Sequence, residues 1–267
     1  MRGQLQELGI VAVSNESTRN LIQAVVFDAV GTVMFPQPSV AAAYQAAIKQ
    51  HCGQLVPTEI VNAAVRDGLK QRSAGLDLTT SEESERQFWA DLIHRLCPDS
   101  TGFQACFDAL FEHFGSSDSW KCFPGVGDVI GQLQQQHMVV AIASNFDNRL
   151  NSVCDGLNEL SGISQRIISS QVGFRKPAGE FFCAVVETLN IPAANILMVG
   201  DDLINDVQGA LNAGFQSAWI CRSEPTTSNV ADEVLVLSDL SELPSFIENT
   251  NRRVSEYQPS SGQQIRA

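Results

Sequence analysis

Short apolar runs recur along the chain at residues 21–27, 138–143, 196–199 and 217–220, with weaker ones at 166–169 and 233–237. Such runs, bounded by turn residues, mark strands buried on both faces. Between them lie helix-length patterns at 126–136, 148–160, 178–190 and 204–213, several closing on Gly or preceding Pro. Strands alternating with helices predict an α/β fold: a Rossmann-like parallel sheet core with helices on both faces.

The stretch 37–117 departs from this alternation, since it carries four helical patterns and no convincing strand. Thr80-Ser81-Glu82-Glu83 resembles a capping box ahead of Phe88, Trp89, Leu92, Ile93 and Leu96. Pro36 and Pro38 mark the entry, and Phe123-Pro124-Gly125 marks the return. The chain therefore divides into a core of 20–36 and 118–248, an inserted α-helical cap domain of 37–117, a flexible N-terminus of 1–19 and a flexible tail of 249–267. The apolar cap residues Phe88, Trp89, Phe107 and Phe111 read as helix-packing core.

A net charge of −13 without clustered Lys or Arg predicts no nucleic acid and no anionic membrane surface as partner. No apolar run approaches the roughly 20 residues of a membrane helix, and the first twenty residues lack a signal peptide's basic start and apolar run; a cytoplasmic protein is expected. The seven cysteines are scattered without a C-x-x-C pair, so neither a disulfide framework nor a zinc site is expected. His51, His94, His113 and His137 stand on helix-like segments and read as ordinary packing or solvated residues.

Four segments follow the strand candidates, at the sheet edge where open α/β folds bind ligands. They are Asp28-Ala29-Val30-Gly31-Thr32, Ser144-Asn145-Phe146-Asp147, Lys176 ahead of Pro177, and Gly200-Asp201-Asp202 running on to Asp206. Taken singly, an Asp at a strand end reads as a helix cap and a Lys before Pro as a solvated turn residue. Taken together they supply a nucleophile-type carboxylate, a hydroxyl with an amide, a cation and a second acidic cluster.

This set, in this order, resembles the haloacid dehalogenase-like hydrolase superfamily from about residue 21 to 245. Within it, FDAVGT and SNFDNRL look most like the subfamily I members with a helical C1 cap, around the rhythmically expressed protein 2-like hydrolases. The resemblance implies an enzyme, a Mg²⁺-dependent phosphatase that takes a small phosphorylated metabolite through an aspartyl-phosphate. It makes Asp28 the nucleophile, with Lys176 beside it, and gives phosphate binding to Thr32, Ser144, Asn145 and Lys176. It gives Mg²⁺ to Asp28, the backbone carbonyl of Val30 and Asp201, with Asp206 in the outer shell. Asp202 reads as a cap of the following helix.

Val30 departs from that pattern. The superfamily's phosphatases have a second Asp there, which protonates the leaving oxygen and then activates water; Val does neither. Such acid–base catalysis is worth about 10²–10⁴-fold. Either the phosphatase is restricted to good leaving groups, or the substrate or the cap supplies the acid–base group, with Asp67, Asp77 and Asp91 as cap candidates. Two other readings stay open: an inactive or weakly active phosphate-ligand binder, and a dehalogenase, whose first motif also lacks the second Asp and which works without a metal.

Overall fold

The computed structural model describes residues 20–75, 77–98, 101–222 and 234–257. The chain starts with β1 (Ala24–Phe27) and β2 (Met34–Pro36). Next come α1 (Val40–Cys52), α2 (Thr58–Ala74), α3 (Glu82–Leu96) and α4 (Phe103–His113), followed by β3 (Trp120–Cys122). Alternation then sets in with α5 (Val126–Gln135), β4 (Val139–Ser144), α6 (Arg149–Gly156), β5 (Gln165–Ile168), the single turn α7 (Ser169–Val172) and α8 (Gly179–Leu189). It continues with β6 (Ile196–Gly200), a π-helical turn at Leu203–Gln208 that runs into α9 (Gly209–Asn212), β7 (Gln216–Ile220), β8 (Leu235–Leu237) and α10 (Leu243–Tyr257).

Six of these strands form one parallel sheet in the order β5-β4-β1-β6-β7-β8. Side chains of a strand alternate between faces, and β1 shows what each face meets. Val25 and Phe27 join a core with Val129 and Leu133 of α5 and with Leu243 and Ile247 of α10. Ala24 and Val26 join a second core with Phe181, Phe182 and Val185 of α8. Both faces being covered explains why the strand is apolar throughout. Burial of a side chain such as Phe27 contributes about 1.5–3 kcal/mol.

β2 and β3 pair antiparallel, Met34 opposite Cys122 and Pro36 opposite Trp120, and hold the two ends of the helical insertion side by side. The helices between them have a core of their own, built on Tyr44, Ile48, Val61, Leu92, Ile93, Phe107 and Leu110. α3 starts on a capping box, as the sequence predicts, but Ser84 closes it: its amide donates to Ser81 Oγ at 3.1 Å, and its own Oγ accepts from the Ser81 amide at 2.8 Å. Cys52, Cys97 and Cys106 bring their sulfurs within 4.8 Å of one another inside this core, from three segments that no spacing rule connects. Burial holds the Cys97 and Cys106 thiols well above their ordinary range, so they pack as neutral groups.

A latch of hydrogen bonds ties the insertion to the sheet. Arg175, buried beside the core, donates to the carbonyls of Thr79 at 3.1 Å, Arg72 at 2.8 Å and Asp77 at 2.7 Å. The backbone adds Thr80 N–H to Gly173 C=O at 2.9 Å, and Glu82 accepts from the Asn148 amide at 2.9 Å. Arg175→Ala should lower Tm by about 6–12 °C, at about 1 kcal/mol for each bond of the guanidinium and about 2–4 °C per kcal/mol for a chain of this size. Scanning calorimetry checks this; an unchanged Tm would mean that the latch carries no stability.

Two expectations need correction. The tail boundary at 249 falls inside α10, where Thr250 is buried and Asn251 exchanges hydrogen bonds of 2.8 Å with both backbone groups of Ile22. That anchor, together with the apolar stripe of the helix, orders the chain as far as Tyr257. His137 sits in a left-handed turn after α5, with φ of 60°, and not on a helix. The predicted flexible segments 1–19 and 258–267 lie outside the described residues, as does Glu233 of the last strand expectation. Among the described residues no helix is long and apolar enough to cross a membrane.

Candidate active site

β1 lies at the point where the chain, having run out along β4 and β5, crosses back to build β6, β7 and β8. Connections leave such a strand in opposite directions and open a crevice at its carboxyl end. Register then brings the motifs together. Phe27 is level with Ile142 of β4 and Val199 of β6, so Asp28, one residue on, and Ser144 and Asp201, two residues on, all emerge at the same edge.

The side chains meet there. Lys176 Nζ, almost fully buried, donates to Asp28 Oδ1 at 2.7 Å, Asp206 Oδ1 at 2.6 Å and the Ala143 carbonyl at 2.8 Å. Ser144 Oγ also donates to Asp28 Oδ1, at 3.0 Å. Among the described residues nothing donates to Asp28 Oδ2. Oxygens of Asp28, Asp201 and Asp206 lie within 4.8 Å of one another.

Burial works to lower the Lys176 pKa, but the charges of Asp206 and Asp28 outweigh it and hold the ammonium above its ordinary value. Burial pushes the Asp206 carboxyl up, against the pull of Lys176. Asp201 keeps one face open to solvent, yet enclosure by protein and then the Asp28 charge push its carboxyl up to about 6. The cluster thus carries more negative charge than Lys176 neutralises.

Several residues serve the site differently from the sequence expectation. Thr32 is fully buried and its hydroxyl donates to Asp201 Oδ1 at 3.1 Å, so it orients a carboxylate and does not face a ligand. The Asn145 amide is committed to the backbone of Lys176, donating to its carbonyl at 3.0 Å and accepting from its amide at 2.8 Å. Asp202, by contrast, caps the following turn as expected, accepting from the Ile204 and Asn205 amides at 2.8 and 2.9 Å. Gly31, at φ of 90°, turns the loop where a Cβ would strike the Asp201 carboxylate. Arg222, unmarked in the sequence reading, binds the carbonyls of Gly31 and Thr32 and lies 3.6 Å over the Phe123 ring. Its only sequence signal is its place just past a strand.

The three cap carboxylates that were candidates for the role lost at Val30 are engaged elsewhere. Asp67 pairs with Arg66 on the surface, Asp91 accepts from Gln87, and Asp77 accepts from Thr79, whose hydrogen bonds hold its carboxyl below the ordinary range. Instead, Val30, Asn145 and Phe146 form one wall of a cavity of about 210 Å³, and Tyr44, Trp89 and Phe111 of the helices stand among those forming the other. Trp89, Phe107 and Phe111 therefore line a chamber as well as packing the helices together. Arg149 reaches it too, but its guanidinium is held by Asp147 at 2.6 Å and by the Phe111 carbonyl at 2.9 Å.

A parallel sheet with a lysine-bridged carboxylate cluster at its switch point, under a helical roof, marks an α/β protein with an acidic site at its sheet edge. The sequence pattern of the haloacid dehalogenase-like hydrolases matches residues 22–214, and the chain belongs to that family. It is 30% identical over 156 residues to haloacid dehalogenase-like hydrolase domain-containing protein 3 of Mus musculus, an alignment that covers 57% of this chain and 62% of that protein. The chain thus spans about three fifths of the length of the first curated relatives it matches. Among solved structures, L-2-haloacid dehalogenase RSc1362 is 25% identical with a TM-score of 0.64, over 86% of this chain and all of that one. The HAD-hydrolase YfnB of Bacillus subtilis bound to magnesium is 18% identical with a TM-score of 0.64, over 85% of this chain and 99% of that one.

Proposed function

We propose that this hydrolase is a Mg²⁺-dependent phosphomonoesterase that acts on a small phosphorylated molecule through an aspartyl-phosphate on Asp28. The supporting observation is the cluster of Asp28, Asp201 and Asp206, in which one ammonium pairs with Asp28 and Asp206. A phosphate dianion cannot approach that many carboxylates without a further cation.

The donors suit Mg²⁺, which takes hard oxygen ligands. Asp28 and Asp201 offer carboxylates, and among the described residues nothing donates to the carbonyl of Val30, which leaves it available as a third ligand. Asp206, held by Lys176 and the Asp202 amide, acts through water. When bound, the ion supplies the positive charge that offsets the phosphate oxygens. Asp28 Oδ2, free of hydrogen bonds, attacks phosphorus. Lys176 supplies buried positive charge beside Asp28 that offsets the charge spreading over the phosphoryl oxygens in transfer, and the Ser144 hydroxyl holds Asp28 Oδ1. Thr32 orients Asp201, and Asn145 positions Lys176 through its backbone.

Dehalogenation is the second reading, favoured by Val30 and by the likeness to a haloacid dehalogenase. A haloacid also brings a carboxylate, and the cation of the chamber, Arg149, is already paired with Asp147. The experiment is release of inorganic phosphate from a panel of esters with Mg²⁺ and with chelator, beside chloride release from a 2-haloacid. Chloride without phosphate reverses the order of the two readings; phosphate-analogue binding without turnover makes the chain a binding protein.

Metal binding should also appear in the pH dependence of stability. The folded-state pKa of Asp201, about 6, lies above its ordinary 3.8. The metal-free fold therefore holds that proton more tightly than the unfolded chain and loses stability as pH rises across that window. Mg²⁺ favours the ionised form, so its stabilisation should grow across the same window. The rise in Tm on adding Mg²⁺ should accordingly be larger at pH 7.5 than at pH 4.5; an equal rise would remove Asp201 as a ligand.

A further inference from the structure

We infer that the chamber selects an apolar aromatic leaving group, making the preferred substrates aryl phosphate monoesters and not sugar or polyol phosphates; this rests on the phosphomonoesterase reading. Its floor belongs to the reacting site, because Val30 stands two residues beyond Asp28, and Asn145 follows Ser144, whose hydroxyl touches Asp28. A leaving group bonded to phosphorus at Asp28 therefore extends into this space.

What it meets there is aromatic and aliphatic: Trp89 and Phe111 from the helices, Phe146 and Val30 from the core. The side chains of the described lining that carry hydrogen-bonding groups are Tyr44, Trp89, Trp120, Asn145 and Arg149, and the Trp120 indole donates to the Phe114 carbonyl at 3.1 Å. Asn145 is committed to Lys176, and Arg149 to Asp147 and the Phe111 carbonyl. A ring-substituted phenyl group fits about 210 Å³, since a cavity of roughly 150 Å³ already takes benzene. The hydroxyls of a sugar would lose water there for few partners, each unpaired one weakening binding on the order of tenfold.

The missing acid points the same way by an independent route. No carboxylate lines the described chamber, and Val30, 36% exposed, turns an apolar surface to it where a proton donor would be needed. An aryloxide leaves without prior protonation, because a phenol has a pKa of about 10; an alkoxide is far more basic. In the first step the Asp28 oxygen forms its bond to phosphorus while the P–O(aryl) bond breaks, the electron pair leaving on the aryloxide, which takes a proton from solvent. In the second, water bonds to phosphorus, the P–O(Asp28) bond breaks, and phosphate and a proton are released, so that one water is consumed for each phenol formed.

Three esters separate the two components on the full chain with Mg²⁺: phenyl phosphate, benzyl phosphate and glucose 6-phosphate. Benzyl phosphate keeps the ring but leaves as an alkoxide. The chamber predicts KM at least tenfold lower for phenyl and benzyl phosphate than for glucose 6-phosphate. The absent acid predicts transfer of the phosphoryl group to Asp28, read in single turnover, at least tenfold faster for phenyl than for benzyl phosphate, a gap that Val30→Asp should narrow. Trp89→Ala should raise KM for the two ring esters more than for glucose 6-phosphate; because that variant removes packing, its Tm is measured alongside, and the wild-type series decides the matter without it. Glucose 6-phosphate turned over with equal or lower KM, or equal single-turnover phosphorylation of Asp28 by phenyl and benzyl phosphate, would overturn this inference and leave the phosphomonoesterase reading intact. Phosphate release from none of a wide panel of esters would instead overturn that reading, and this inference with it.

Discussion

Asp28→Asn should reduce turnover on the order of 10⁴-fold, as removal of a nucleophile does when the surrounding machinery stays in place. Asparagine keeps the shape of the side chain and an oxygen able to accept from Ser144 and Lys176, so the fold should survive. What it loses is the anionic oxygen that bonds to phosphorus. Steady-state phosphate release, with contaminating phosphatases excluded by a mock purification, checks this. A variant that retained more than a few per cent of wild-type turnover would take the nucleophile's role away from Asp28. Acid quenching of the wild type during turnover should leave phosphate bound to the peptide that contains Asp28, and the variant should yield none.

Lys176→Met should be the most destabilising substitution in the site, by about 3–5 kcal/mol at neutral pH. Methionine fills much of the lysine's volume but leaves Asp28 and the buried Asp206 with no ammonium between them. The Asp206 carboxyl, which burial already pushes up, loses the opposing pull of the ammonium and holds its proton more tightly still. The variant should regain stability as pH falls, when that carboxyl takes up its proton. Urea denaturation at pH 7.5 and 5.5 tests the sign; a deficit that did not shrink at the lower pH would mean the loss comes from packing and not from charge. Activity should fall with it, because the phosphoryl oxygens lose a buried cation.

The sheet was legible because strands covered on both faces have little choice but to be apolar, and β1, β4, β6 and β7 are buried over nearly their whole length. β2 and β3, at three residues each, are too short to set up a period. The last helix was cut short for another reason. It is polar over most of its surface, and its anchor, Asn251 on Ile22, joins positions 229 residues apart. In the site, Asp28, Ser144, Lys176, Asp201 and Asp206 were readable as strand-end chemistry. Thr32 and Asn145 were readable as polar but not by partner, since whether a hydroxyl meets a ligand or Asp201 depends on packing alone. Trp89 and Phe111 posed the same difficulty on the apolar side. A side chain that packs on a neighbouring helix and one that walls a cavity occupy similar stripes, and here one residue does both.

The pairing of β2 with β3 has an evolutionary and engineering consequence. Since the two strands hold the departure and return of the chain side by side, the sheet bears no closure cost that depends on how much polypeptide lies between them; that cost falls within the insert and grows only slowly with its length. The roof is therefore an exchangeable module. A different helical bundle grafted between Pro36 and Trp120 should leave the carboxylate cluster standing and replace only the walls that a substrate's leaving group meets, so that selectivity can be rewritten without disturbing the chemistry beneath it.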